Sequence, residues 1–201
     1  MVPAQEHPLP THPRPTGRVP GQPRGPVALL TELNSAAAET AVRTLLTCCA
    51  SHSWARRVAE HRPYPDLDAL LAAADEAAYD LTPADLTEAL AGEPIEPAAF
   101  PAPGADQDIY SAAHTALRAA TAAYESRFGH AFVICLDDIA PGEALDTLLA
   151  GIRSRLGHDP EEERALAAEE LRRLARGRLA RLVQLQGERT QTRPDSPYVP
   201  V

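Results

Sequence analysis

The side chains that most often move protons or attack carbonyls are present in this sequence, but they are not spaced for either kind of chemistry. Ser51, His52, Ser53 and His61 lie within one short stretch, ASHSWARRVAEHR, yet none of these serines sits in the G-x-S-x-G turn that presents a nucleophile. His52 reads as a surface or capping histidine. The nearest histidine pairs, His52/His61 and His7/His12, lack the i, i+4 spacing at which two imidazoles on one helix face hold a metal, so none is expected. All nineteen basic residues of the Lys+Arg count are arginines. Without lysine there is no Schiff base to a substrate carbonyl or to pyridoxal phosphate, and no phosphate-loop lysine. Cys48, Cys49 and Cys135 show neither CxxC nor Cys/His ligand spacing, and an odd number with an adjacent pair is not a secreted disulfide framework. They read as reduced, small apolar side chains in the interior.

Two stretches remain that could shape a pocket. In YESRFGHAFVICLDD, Tyr124 to Asp138, a polar helix ending gives way to an apolar run that closes on two aspartates. Gly129 is the residue expected where a helix stops in a left-handed conformation. Phe132 to Leu136 are too apolar to leave in water and too few to span a membrane. Residues 92–107, GEPIEPAAFPAPGADQ, hold Pro94, Pro97, Pro101 and Pro103 and cannot be a helix. This segment is either a linker or a loop that carries polar side chains into a pocket.

The frame that must position these stretches reads as helical. Residues 1–26 contain eight of the twenty prolines and almost no apolar bulk, so they cannot offset their ordering entropy and are expected to be a disordered tail. From Val27 the apolar residues recur at helical spacing. Asn34-Ser35 reads as an N-cap for AAAETAVRTLLTCCA, Ser51 or Ser53 as the next, Asp66 as a third, and Thr82-Pro83 opens a fourth helix. From Asp108 a helix runs to Gly129 with Ile109, Ala113, Leu117, Ala120 and Tyr124 on one stripe. Pro141 starts another, Gly157-His158 stops it, and Asp159-Pro160 opens a last, Arg-rich helix with acids in its first turn. Residues from about 188 onward are expected to fray. FVICL alone favours β, but a single strand has no partner, so an extended or helical core segment is expected. The class is all-α, a compact irregular bundle of seven or eight helices without significant sheet. The helical domain spans 27–187, flanked by tails at 1–26 and 188–201.

Charge and hydropathy narrow the partners. A net charge of −9 argues against a nucleic-acid binder, which needs a basic face. Neither a signal-peptide apolar core nor an eighteen-residue apolar span is visible, so a soluble, cytoplasmic protein with no membrane partner is expected.

A set of short motifs runs through Cys49-Ala50-Ser51-His52-Ser53-Trp54, Arg62-Pro63-Tyr64, the Leu67 to Asp75 helix, Asp85 and Glu88-Ala89-Leu90. It resumes at Tyr124-Glu125, Arg127-Phe128-Gly129 and Phe132-Val133, and ends at Arg178-Leu179. In the order and spacing of these motifs the chain resembles the ureidoimidazoline (OHCU) decarboxylases of urate breakdown. The resemblance implies an all-helical, often dimeric enzyme without cofactor or metal. Such an enzyme removes CO2 from 2-oxo-4-hydroxy-4-carboxy-5-ureidoimidazoline and leaves (S)-allantoin. Its substrate-binding positions map to Pro94, Gln107, the backbone of Ala131, Phe132, Val133 and Ile134, and Arg178, whose forked cation suits a carboxylate or carbonyl oxygen. The candidate catalytic residues are Glu93, Asp106 and His130, of which only Glu93 falls on the family's catalytic position. Here the sequence departs from the family: Glu93-Pro94 stands where His-Pro is expected, and Asp106-Gln107 where Glu-Gln is expected. His130 stands where an apolar or aromatic residue is usual. Three readings stay open: Glu93 replaces the histidine as proton carrier, His130 reaches the same pocket from another wall, or the fold has kept its shape and lost this reaction. In the last case it would be a silent or altered homologue that binds a small anionic ligand or a partner protein.

Overall fold

The computed structural model describes residues 27–93 and 107–191, and eight helices account for its secondary structure; among the described residues there is no strand. The helices are α1 (Val27–Ser35), α2 (Ala38–Leu46), α3 (His52–Glu60), α4 (Leu67–Tyr79), α5 (Pro83–Ala91), α6 (Gln107–Phe128), α7 (Ala144–Arg155) and α8 (Pro160–Gln191). The all-α reading of the sequence holds. The N-terminal tail, Pro94, Asp106 and residues 192–201 lie outside the described part.

Several helices begin where side-chain chemistry supplies the donors' missing acceptors. Ser51 Oγ accepts from the Trp54 backbone N–H, and Asp66 accepts from that of Ala69. Thr82 and Asp85 form a reciprocal capping box, with Pro83 at the first helical position. The expected cap at Asn34-Ser35 is not formed. These residues finish α1, and α2 starts after Ala37 with no side-chain cap. Asn34 instead bridges to a distant part of the chain, where its amide donates to the Tyr64 carbonyl at 2.8 Å and accepts from the Tyr64 N–H at 2.9 Å. Arg62 then serves the end of α1, donating to the carbonyls of Leu33 and Ala36. The helix expected from Pro141 begins three residues later, at Ala144, because Pro141–Glu143 form a turn. At the other end, α8 continues to Gln191.

The apolar residues form two clusters. The larger joins α1 to α5 with α8, around Leu45, Trp54, Val58, Leu70, Leu90, Leu171 and Leu179. Trp54 is fully buried and satisfies its indole N–H on the Ala74 carbonyl at 2.9 Å. The smaller cluster lies between α6 and α7, around Leu117, Tyr124, Leu148 and Ile152. The segment after Gly129 is the seam between them. It is extended, so successive side chains point to opposite sides: Phe132 and Ile134 enter the smaller cluster, whereas Val133 enters the larger. Of the two forms anticipated from the sequence, extended or helical, this apolar run takes the extended one. Among the described residues no helix is long and apolar enough to cross a membrane.

Candidate active site

Arg178 leaves the middle of α8 and reaches two other parts of the fold. Its Nη1 and Nη2 donate to Oε1 and Oε2 of Glu93 at 2.5 and 2.7 Å, a two-pronged pairing, and Nη1 also donates to the Cys48 carbonyl at 3.2 Å. Glu93 is only 8% exposed, so the carboxylate just beyond α5 points inward and not into solvent. The bonds from Glu93 raise the guanidinium's already high pKa against the opposing effect of burial, so its charge is permanent. The approach that makes this contact depends on Gly92. A Cβ there would lie 2.4 Å from the Ala50 Cβ, so only glycine lets the end of α5 close on the turn between α2 and α3. Cys48 and Cys49 line that turn. Both are buried free thiols, and burial pushes Cys49 up to about 11, which keeps it protonated and inert. Cys135 is also free but only partly buried.

The other stretch singled out from sequence is the segment that follows α6. Gly129 has φ of +75°, the left-handed conformation expected there, and it turns the chain from helix to extended backbone. His130 follows, half-buried, with its ring edge-on to Tyr124 at 5.5 Å between centroids and tilted against Phe128 at 6.2 Å. Its Nδ1 lies 3.0 Å from the Ala131 carbonyl. A carbonyl only accepts, so Nδ1 carries the hydrogen and Nε2 is left as the atom able to take up or give a proton. A cleft of about 380 Å³ opens here, lined by Thr87 and Ala91 of α5, Glu125 of α6, and Gly129, His130 and Ala131. The last turn of α5 is therefore shared: Ala91 lines the cleft, and Glu93, two residues on, meets Arg178.

A third group, which the sequence pattern did not bring forward, fixes the backbone beside His130. Glu163 is fully buried at the start of α8 and accepts from Arg155 Nε at 2.8 Å, from Arg155 Nη2, from the Tyr124 hydroxyl, and from His158 Nδ1 at 2.9 Å. The remaining Arg155 nitrogen donates to the Val133 carbonyl at 2.7 Å, and the guanidinium lies 4.4 Å from the Phe132 ring centroid. Burial pushes the Glu163 carboxyl up, but the bonds from Arg155, Tyr124 and His158 outweigh it and hold the pKa below the ordinary value. Burial, then the contact with Glu163, raises that of the Tyr124 phenol. From the other side, Glu170 accepts from the Cys135 backbone N–H at 2.6 Å. The extended segment is thus pinned at residues 133 and 135 by charged side chains of α7 and α8. A signal for Glu163 existed in the sequence. It stands four residues before Ala167 and eight before Leu171, a spacing that shares one helix face, and both of these are buried. A carboxylate in phase with such a stripe must point inward.

Of the residues singled out from sequence, Glu93 and Arg178 touch each other. His130 and Ala131 line the adjoining cleft. Phe132 and Val133 are buried, and Ile134 is partly buried against Gly151. Gln107 is the first residue of α6, but its side chain lies outside the described part, as do Pro94 and Asp106. His52 is exposed and pairs with Glu88 at 2.7 Å. Among the described residues, no group of three or more His, Cys, Asp or Glu could hold a metal ion. Arg178 and Glu93 offer a permanent cation beside the carboxylate that neutralises it, a pair able to orient an anion or a carbonyl. His130, in the cleft lined by Ala91, offers an imidazole nitrogen able to transfer a proton.

The family model described as OHCU decarboxylase matches residues 34–95 and 101–180. Two solved structures share the fold. One, described as OHCU decarboxylase in the presence of (S)-allantoin, aligns with a TM-score of 0.58 at 21% identity, over 74% of this chain and 99% of that one. The other, an (S)-allantoin synthase, aligns with a TM-score of 0.57 at 18% identity over 76% of this chain, which spans about half (53%) of its length. No curated protein matches by sequence.

Proposed function

The chain belongs to the OHCU decarboxylase family, and from that premise we propose that it decarboxylates 2-oxo-4-hydroxy-4-carboxy-5-ureidoimidazoline to (S)-allantoin in the cytoplasm, without a cofactor. The observation that carries this reading is the meeting of Arg178 with Glu93, the residue that stands where the family's catalytic histidine is expected. A cation from α8 and the carboxylate that follows α5 meet although 85 residues separate them. In the proposed reaction the bond to the carboxylate carbon breaks, CO2 leaves, and the electron pair enters the adjacent C=N of the ring. A proton delivered to one face then fixes the S configuration. Arg178 is the partner for the substrate's carboxylate. His130, through Nε2, is the proton carrier, because both Glu93 oxygens already accept from guanidinium N–H groups. The backbone of residues 131–134 and the side chains of Gln107 and Asp106 complete the substrate's surroundings in this reading.

One observation favours a second reading. Glu93 already occupies the cation that a substrate carboxylate would use, as expected of a homologue with altered or lost activity that binds some other small ligand. The two separate in one experiment. Freshly oxidised urate products are supplied to the protein, and the chirality of the allantoin formed is followed by circular dichroism. A dichroic signal that rises faster than the spontaneous, racemic background is expected. No enantiomeric excess over that background would eliminate the decarboxylase reading for this substrate.

A further inference from the structure

A guanidinium has five N–H donors arranged as two forks, one end-on between Nη1 and Nη2, the other side-on between Nε and Nη2. Glu93 fills the end-on fork of Arg178 with both carboxylate oxygens, at 2.5 and 2.7 Å, and the Cys48 carbonyl takes the other Nη1 hydrogen at 3.2 Å. Among the described residues the Nε–H and the second Nη2–H have no acceptor, and the side chain remains 34% exposed. Glu93 is nearly as protected as the core. The cation therefore meets a ligand with its charge already balanced and three of its five donors in use.

Resting on the role proposed above for Arg178, the geometry points to Glu93 as the residue that decides the charge class of the ligand: uncharged ureides are admitted beside the intact pair, and carboxylates enter only by displacing Glu93. An uncharged ureido or amide carbonyl can accept from the open side-on fork and leave the pair intact. A carboxylate on that fork would place a second negative charge within a few ångströms of Glu93 with one cation between them, an arrangement that opposes ionisation of both acids. The favourable course for a carboxylate is to take the end-on fork itself, which requires Glu93 to leave its two charge-assisted bonds.

The test compares two probes that share a ureido skeleton and differ in charge: allantoin, uncharged, and allantoate, its ring-opened carboxylate. Each is titrated by calorimetry into the wild-type protein, Glu93→Gln and Glu93→Ala, with thermal melts to establish that the variants fold. The expected result is that wild type prefers allantoin at least tenfold. Both variants should gain at least tenfold for allantoate while allantoin stays within about threefold. The gain should disappear when Arg178→Gln is added. An unchanged preference, a gain that survives loss of Arg178, or no binding of either probe to any folded variant would overturn the inference. The circular-dichroism assay keeps the two readings apart. Turnover without the allantoate gain leaves the decarboxylase standing and removes this role for Glu93; the gain without turnover does the reverse.

Discussion

Replacing Glu163 with glutamine removes one charge and almost no volume, yet it strikes a carboxylate that has no contact with solvent. In the parent that carboxylate accepts from Arg155, Tyr124 and His158, and Arg155 is itself only 6% exposed at its side chain. The introduced glutamine would keep one acceptor oxygen but oppose an amide N–H to donors that need acceptors, and would leave the Arg155 charge buried without its counter-charge. Breaking a buried pair from one side costs about 3–5 kcal/mol. The retained amide oxygen and the Val133 carbonyl, which still accepts from Arg155, place the expected loss at the lower end, about 3 kcal/mol. For a chain of this size that is a fall in melting temperature of about 6–12 °C.

The measurement is thermal or urea unfolding of parent and Glu163→Gln across a pH series. The Glu163 pKa is lowered in the folded state, so the stability it contributes is fully present above the unfolded value of about 4.3 and is lost as pH falls through the folded value. The gap between parent and variant should therefore be full at pH 7 and narrow only below about pH 4. A variant that melts within about 1 kcal/mol of the parent at pH 7 would refute the reasoning, because Arg155 would then be shown to find its compensation elsewhere. A gap that widens as pH falls would refute the assignment of the depressed group.

Other substitutions probe the close approach at Gly92 and the cleft at His130. Gly92→Ala should cost about 1–3 kcal/mol in urea unfolding, since its Cβ would be driven to 2.4 Å from that of Ala50. Adding Ala50→Gly should recover most of that loss; a variant as stable as the parent would mean the close approach imposes no constraint. His130→Asn keeps an N–H for the Ala131 carbonyl and removes the free ring nitrogen. Under the proposed reaction it should lower kcat by about 10²–10⁴ with KM little changed, measured by the initial slope of the dichroic signal, and a loss smaller than threefold would rule out His130 as the proton carrier.

The parts of the fold that could be read from sequence are those written in local terms. The caps at Asp66 and Thr82 and the left-handed Gly129 each satisfy backbone demands within four residues, so type and spacing were enough, whereas the cap of α3 was narrowed only to Ser51 or Ser53, and the structure shows Ser51. Asn34 misled because the same short amide can cap a helix or bridge to a distant backbone, and only tertiary structure shows that it serves Tyr64, thirty residues away. Glu163 was obscured by its neighbours. In the run Glu161-Glu162-Glu163, helix-dipole preference explains all three acids equally, and only the phase with Ala167 and Leu171 separates the buried one. Asp75 was equally hidden, as an acid in an alanine-rich helix that proves to receive Arg172 and Arg176 at 2.7 and 2.5 Å across the α4/α8 contact.

The candidate site sits where these local and non-local determinants meet, which bears on the glutamate at position 93. A histidine after α5 would leave the Arg178 cation to be balanced by whatever bound it. Glutamate supplies that balance from within the chain, through two charge-assisted bonds at a position 8% exposed. The same bonds tie α5 to α8 and, through the Cys48 carbonyl, to the end of α2. A group that stabilises the empty fold in this way necessarily opposes a ligand that needs the same donors, because binding energy must first replace what the pair already provides. If the protein turns over a carboxylate substrate, it does so against its own ion pair. Glu93→Gln should then lower KM even where it lowers stability, a combination that a purely structural salt bridge would not produce.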